Sequence, residues 1–247
     1  METGQAAGHA GAPGRRRAAE AASVRTVSEN LTRLLWTSRG QRRVPSQAAF
    51  DAAVSRLRRG ALERICEFNP CGPIYLIPTR PFLRALARRI RATGARRILE
   101  VAAGDGHLSA ALARLAPDLR ITATDSGQWE RPEARMNAAE RRALRHAGVA
   151  GLVPGAGVLR LPAVAAIGKL KPDLVLASWI PPGPLLGQII RAAPLVLEIG
   201  AGSGITGDIR CWRYPHDFCD ELDALGRCRL DERPAARLHT RVTLYGG

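Results

Sequence analysis

Glu100, Gly104, Asp105, Gly106 and Asp125 are the residues whose types and spacing can do chemistry. Ile98 to Val101 is a short apolar run, β-branched at both ends, with Glu100 inside it, and so reads as a strand. The chain then turns through Ala102, Ala103, Gly104, Asp105 and Gly106 before a helical pattern of Leu108, Leu112 and Leu115. A strand that breaks into a helix through small residues leaves backbone N–H groups facing an open crevice, where a nucleoside cofactor can approach the main chain. Ile121 to Asp125 is a second strand, and Asp125 lies 21 residues beyond Gly104. In a doubly wound sheet it emerges beside the first, where a carboxylate can accept hydrogen bonds from both hydroxyls of a ribose. This is binding chemistry rather than acid–base chemistry.

The stretch Ile-Leu-Glu-Val-Ala-Ala-Gly-Asp-Gly at 98–106 resembles motif I of the class I S-adenosylmethionine (SAM)-dependent methyltransferases. That motif has an acid closing the strand, here Glu100, and a Gly-x-Gly turn, here Gly104-Asp105-Gly106. The family's first glycine is Ala102 in this chain, a departure that sets the backbone back from a ligand. The resemblance covers about residues 80–247 and implies SAM as cofactor. It implies that Glu100, Ala102, Gly104, Asp105 and Gly106 surround the methionine end, that Asp125 takes the ribose, and that Ser126 and Trp129 lie towards the adenine. It also places Ser178-Trp179-Ile180-Pro181-Pro182, after the fourth strand, opposite the methyl group. Amino-methylating members carry Asn/Asp-Pro-Pro-aromatic there. This chain keeps two prolines but not the polar residue or the aromatic around them, so methylation of a base nitrogen is not implied.

A second stretch, Leu197-Glu198-Ile199-Gly200-Ala201-Gly202, fits motif I better letter by letter. Only 43 residues follow Gly204, too few for the remaining parallel strands and their crossovers. Residues 200–208 therefore read as a glycine-rich loop at the mouth of the site.

Around these residues the chain predicts an α/β domain. Strands are predicted at 97–101, 120–125, 158–161, 172–179 and 195–199, and an antiparallel pair at 227–230 and 241–245. Together they make a seven-stranded, doubly wound, mostly parallel sheet with a C-terminal antiparallel hairpin, as the resemblance also implies. Upstream, helices are predicted from Ser28, over 47–66 and over 82–93. Domains are accordingly 1–27, a disordered Arg/Gly/Ala-rich tail; 28–94, a helical extension with a lid-like loop; and 95–247, the Rossmann-like domain. The loop from Glu67 to Arg80 holds four prolines yet is apolar, so it must lie on something: over the crevice with Tyr75 facing the reacting groups, or as a strap on the far side of the sheet. His216, beside Asp217, is a candidate to take a proton from a substrate hydroxyl. Ser178, Trp179, His216 and Tyr75 thus complete the catalytic candidates. His107 belongs with the cofactor turn, and His239 is read as structural.

Composition limits the alternatives. The net charge of +15 is uneven, because residues 1–97 hold 19 Lys+Arg against 6 Asp+Glu. An acidic or RNA partner for this basic third stays open. Five scattered cysteines without a Cys-x-x-Cys pair argue against a structural zinc or a disulfide framework, and for a cytoplasmic protein with reduced thiols. No run is long and apolar enough for a membrane span. The reading is thus a methyltransferase acting on an unidentified acceptor, a small molecule or peptide by preference. An RNA methyltransferase, a nicotinamide-dependent oxidoreductase and a catalytically idle binding module remain the alternatives. The nicotinamide reading would want a glycine where Ser109 stands.

Overall fold

Alternation along the central strands assigns each side chain to a layer. In β1 (Arg97–Val101), Ile98 joins one apolar layer, whereas Leu99 and Val101 join the other. In β4 (Leu174–Ser178), Leu174 and Leu176 face the first layer, and Val175 and Ala177 the second. Strands buried on both faces in this way belong to a parallel sheet covered by helices. The computed structural model, which describes residues 29–58, 60–67, 72–130, 137–139, 142, 151–201, 205–230 and 240–246, has that sheet. The tail and His239 lie outside the described residues.

With β2 (Arg120–Asp125), β3 (Val158–Arg160), β5 (Val196–Ala201), β6 (His216–Phe218) and β7 (Thr240–Tyr245), the strand order is β3-β2-β1-β4-β5-β7-β6. Only β7 runs antiparallel to its neighbours, inserted between β5 and β6. The order reverses beside β1, between β1 and β4, which opens a crevice at the carboxyl ends of those strands.

Helices cover the sheet and build the cap beside it. α1 spans residues 29–35, α2 Gln47–Val54, α3 Ala61–Glu67 and α4 Arg80–Ala92. α5 is His107–Leu115, α6 Ala163–Leu170 and α7 Leu185–Ala192. A short further helix, α8 (Asp220–Leu225), follows β6. α4 starts where the Thr79 hydroxyl accepts from the Phe82 N–H and Pro81 occupies the first turn, both helix-start signals. It buries Phe82, Leu86 and Ile90 on the sheet, each worth roughly 1.5–3 kcal/mol relative to exposure. Three of its outward arginines are paired with acids. Arg88 pairs with Glu221, Arg89 with Asp217 and Arg91 with Asp118.

Two expectations are corrected. The helix predicted over 47–66 is two helices, because Gly60 adopts φ +76° and turns the chain back, so that Phe50, Val54, Leu57, Leu62 and Cys66 share one cluster. The hairpin strand predicted at 227–230 is not in the sheet; His216–Phe218 pairs with β7 instead. Residues 227–229 pair with the proline-rich loop: Ile77 N–H donates to Arg227 C=O (2.8 Å) and Arg229 N–H to Tyr75 C=O (2.9 Å). A loop interrupted by prolines has main-chain groups that need partners, and this segment supplies them. Ile74 and Ile77 of the loop complete the α1–α3 cluster, so helices and loop form one cap.

Candidate active site

The turn after β1 is built from left-handed residues: Ala102 at φ +50°, Gly104 at +56° and Gly106 at +74°. A Cβ on Gly104 would lie 2.9 Å from the end of the Leu152 side chain, which can shift, so it is the dihedral angle that calls for glycine. Alanine is strained in this region by about 1–2 kcal/mol. Ala102→Gly is therefore expected to raise stability by about 1 kcal/mol, read as a melting temperature higher by a few degrees. A fall on thermal melting would show that the Ala102 methyl packs better than its dihedral costs.

Three carboxylates converge on this turn. Glu100 Oε2 accepts from Ser109 N–H (3.0 Å) and Asp105 Oδ1 from His107 N–H (3.0 Å), so two acids satisfy first-turn amides of α5. Asp125 Oδ2 accepts from Gly104 N–H (2.9 Å) and its Oδ1 from Gly127 N–H (2.7 Å). Asp125 is thus not the free acceptor pair that its spacing suggests. It braces the turn, and each oxygen keeps one lone pair for a ligand. Burial pushes the Glu100 carboxyl up to about 7, and the nearby Asp105 and Asp125 add to the rise.

The counter-charge comes from the cap. Arg42 donates to Asp105 Oδ2 (3.2 Å) and to Leu76 C=O (3.2 Å). His107, beside it, is pushed down to about 4 by burial and by Arg42, so the ring is neutral at physiological pH.

These groups line one cavity of about 280 Å³, near the lower end for small-molecule sites. The β1/β2 side contributes Glu100, Ala102, Gly104, Asp105, Asp125, Ser126 and Trp129. The β4 side contributes Ser178, Trp179, Ile180, Pro181 and Pro182, with Ile205 and Thr206 from the glycine-rich loop. Pro73, Tyr75, Leu76 and Pro78 form a further wall, so the proline-rich segment lies on the crevice and not on the far side of the sheet. Tyr75 stacks tilted against Trp179, ring centroids 5.7 Å apart. Trp179 is held at φ +54° while its N–H donates to Ile199 C=O (2.7 Å).

Two predicted site residues stand elsewhere. Gly106 is the N-cap of α5, and a Cβ there would lie 2.5 Å from Val158, so it faces β3 and not the cavity. His216 pairs in register with Tyr245, itself opposite Val196 at the start of β5. It therefore sits at the amino edge of the sheet, away from the crevice, with Nδ1 2.8 Å from Tyr214 C=O. The edge strand that carries His216 is only three residues long, too short for alternation in the sequence to reveal it. Glu198 of the second motif-like stretch is buried on β5, where Tyr245 Oη donates to it (3.0 Å), outside the cavity lining. Arg42 and Arg229, also in the lining, were missed. In the sequence both are arginines among many, and no local pattern marks them.

No protein-family model matches the sequence, and no curated protein matches it. Among solved structures, the chain is similar to the methyltransferase domain of bacterial CtHen1-CN at 10% identity, covering 68% of this chain and 98% of that one, with a TM-score of 0.40. It is similar to the apo form of the S-adenosylmethionine-dependent methyltransferase SibL at 20% identity, covering 66% and 54%, with a TM-score of 0.34. Human N-acetylserotonin methyltransferase in complex with SAM aligns at 11% identity, covering 67% and 51%, with a TM-score of 0.37. By its own strand order and the crevice at the carboxyl ends of β1 and β4, the chain has the seven-stranded architecture that the motif I resemblance implies, that of the class I methyltransferases.

Proposed function

We propose that this protein is a SAM-dependent methyltransferase whose acceptor is a small molecule or peptide. The observation that carries the reading is Glu100, a buried carboxyl lining the same cavity as the Gly104 turn, Asp125 and Trp129. The residues present fit the cofactor's chemistry. Glu100 suits the methionine ammonium, Arg42 beside the turn suits its carboxylate, Asp125 has lone pairs left for the ribose, and Trp129, 40% exposed, offers a ring to the adenine. When bound, the cofactor supplies a methyl group on a sulfonium that is already a good leaving group.

What this chain contributes is alignment and exclusion of water. Tyr75, Trp179, Pro181 and Pro182 wall off the acceptor side. Burial pushes the Tyr75 hydroxyl above its ordinary value, so it acts as a neutral hydrogen-bonding group and not as a phenolate base. Among the described residues no histidine lines the acceptor side, which favours an acceptor atom that needs no strong base. An RNA acceptor draws less support along α4, where Arg88, Arg89 and Arg91 already have acidic partners. No helix of the described residues is long and apolar enough to cross a membrane.

Calorimetry of the full chain with S-adenosylhomocysteine and, separately, with NAD tests the reading. The demethylated cofactor is expected to bind with a Kd on the order of micromolar, and NAD not to bind. Folded protein that ignores S-adenosylhomocysteine sinks it.

A further inference from the structure

Three buried or half-buried arginines surround the outer wall of the cavity, and they differ in how fully they are matched. Arg42 donates to Asp105 and to Leu76 C=O from its terminal nitrogens, while its Nε, like that of Arg229, is buried without a partner. Arg227 forms a two-pronged pair with Asp51 (2.9 and 3.3 Å) and donates to the carbonyls of Ala224 and Gly226. Arg229 has neither arrangement. Its side chain is 17% exposed, and among the described residues its one acidic neighbour is Glu67 at 3.6 Å. Its Nε is buried without an acceptor.

What surrounds Arg229 is aromatic. Its guanidinium carbon lies 5.0 Å from the centroid of Tyr75 and 5.9 Å from that of Trp179. Ring faces attract a guanidinium but accept no in-plane hydrogen bonds from it, so they leave the buried Nε–H unmatched. The group is also fixed in place. The Arg229 N–H donates to Tyr75 C=O, and Cys228 bridges Leu76, so its backbone cannot swing outward without breaking the cavity wall. A cation drawn largely out of water costs several kcal/mol unless something compensates it. Here Glu67 and the two rings compensate it in part, and among the described residues it forms no further ion pair, although it lines the cavity beside Tyr75 and Trp179.

Resting on the methyltransferase reading, we propose that the acceptor is an anion, an apolar body bearing a carboxylate or phosphate that Arg229 holds beside Tyr75 and Trp179. A planar oxyanion can meet the guanidinium fork with two hydrogen bonds, while the Tyr75–Trp179 pair and the two prolines cover the apolar body. Arg42 serves the cofactor half and Arg229 the acceptor half, which divides the two cations of the cavity between the two ligands.

The test titrates the full chain, saturated with S-adenosylhomocysteine, with benzoate, phenyl phosphate and benzamide, read by calorimetry. At least one anion is expected to bind about tenfold or more tightly than benzamide, because a charge-assisted pair is lost in the amide. Which anion wins separates a carboxylate acceptor from a phosphate one. Arg229→Gln should weaken anion binding by a similar factor without changing affinity for S-adenosylhomocysteine, and Arg229→Lys should restore part of it. Benzamide binding as well as the tighter of the two anions, or neither anion binding at millimolar concentration, overturns the proposal. So does an Arg229→Gln protein that loses cofactor affinity and keeps anion affinity, which would assign the arginine to the cofactor carboxylate. If S-adenosylhomocysteine does not bind at all, the functional reading fails. The same three titrations on the unliganded wild-type chain still decide whether its cavity selects anions.

Discussion

Asp125→Ala is expected to weaken binding of S-adenosylhomocysteine by about 1.5–3 kcal/mol, roughly ten- to hundredfold. Two losses contribute. A charged acceptor for the ribose hydroxyls disappears, and the turn that shapes the methionine end loses its brace, because Gly104 N–H and Gly127 N–H both donate to this carboxylate. Leaving the Gly104 amide unpaired in a buried site costs about 1–3 kcal/mol of folding stability as well. Calorimetry and thermal melting on the same sample separate the two losses. A variant that melts lower but binds the cofactor as tightly as the parent would reduce Asp125 to a purely structural role.

Glu100→Gln is expected to do the opposite to stability while strongly weakening cofactor binding. Glu100 is held up near 7 in the fold against an ordinary value of 4.5, so the folded chain retains a proton there that the unfolded chain has released. Stability then falls as pH rises between about 4.5 and 7 and stays low above that, by on the order of 3 kcal/mol for this group. Glutamine removes that loss and keeps an oxygen for Ser109 N–H. The variant should match the parent near pH 4.5 and melt higher at pH 8. Its pH profile should be shallower but not flat, since burial also pushes Glu198 up to about 7. A matched partner for the methionine ammonium is lost, so affinity for S-adenosylhomocysteine should drop at least about a hundredfold. Parent protein binding that ligand near pH 6.5 should release a proton, visible as a buffer-dependent heat. An unchanged melting profile together with retained binding would mean that Glu100 neither bears strain nor meets the cofactor.

Local chemistry made one half of the site legible. An apolar run with an internal acid, a glycine turn and an acid-ended second strand fix Glu100, Gly104 and Asp125 at the carboxyl ends of adjacent parallel strands, as Glu100 opposite Ala123 in the sheet register bears out. Chain length disposed of the rival at Glu198, and the structure buries that residue against Tyr245. The other half depends on contacts between distant segments. Arg42 reaches Asp105 across 63 positions, and Arg229 reaches the site by pairing with Tyr75. Neither is written in a periodicity. The position of His216 is hidden for a related reason: three residues of edge strand are too few to show alternation.

The insertion of β7 between β5 and β6 has a consequence for how the molecule is made. On the ribosome, β6 emerges before β7 yet has no sheet neighbour until β7 arrives, and the exposed edge of β5 waits for the same strand. Synthesis can therefore complete the β3-β2-β1-β4-β5 half and its helices first, leaving an unpaired, apolar strand edge on the nascent chain. Docking of the last strand closes that edge from both sides in one step, and the Tyr245 hydroxyl reaches Glu198 only then. The nascent chain is thus most exposed to mispairing in the interval between the emergence of β5 and that of β7.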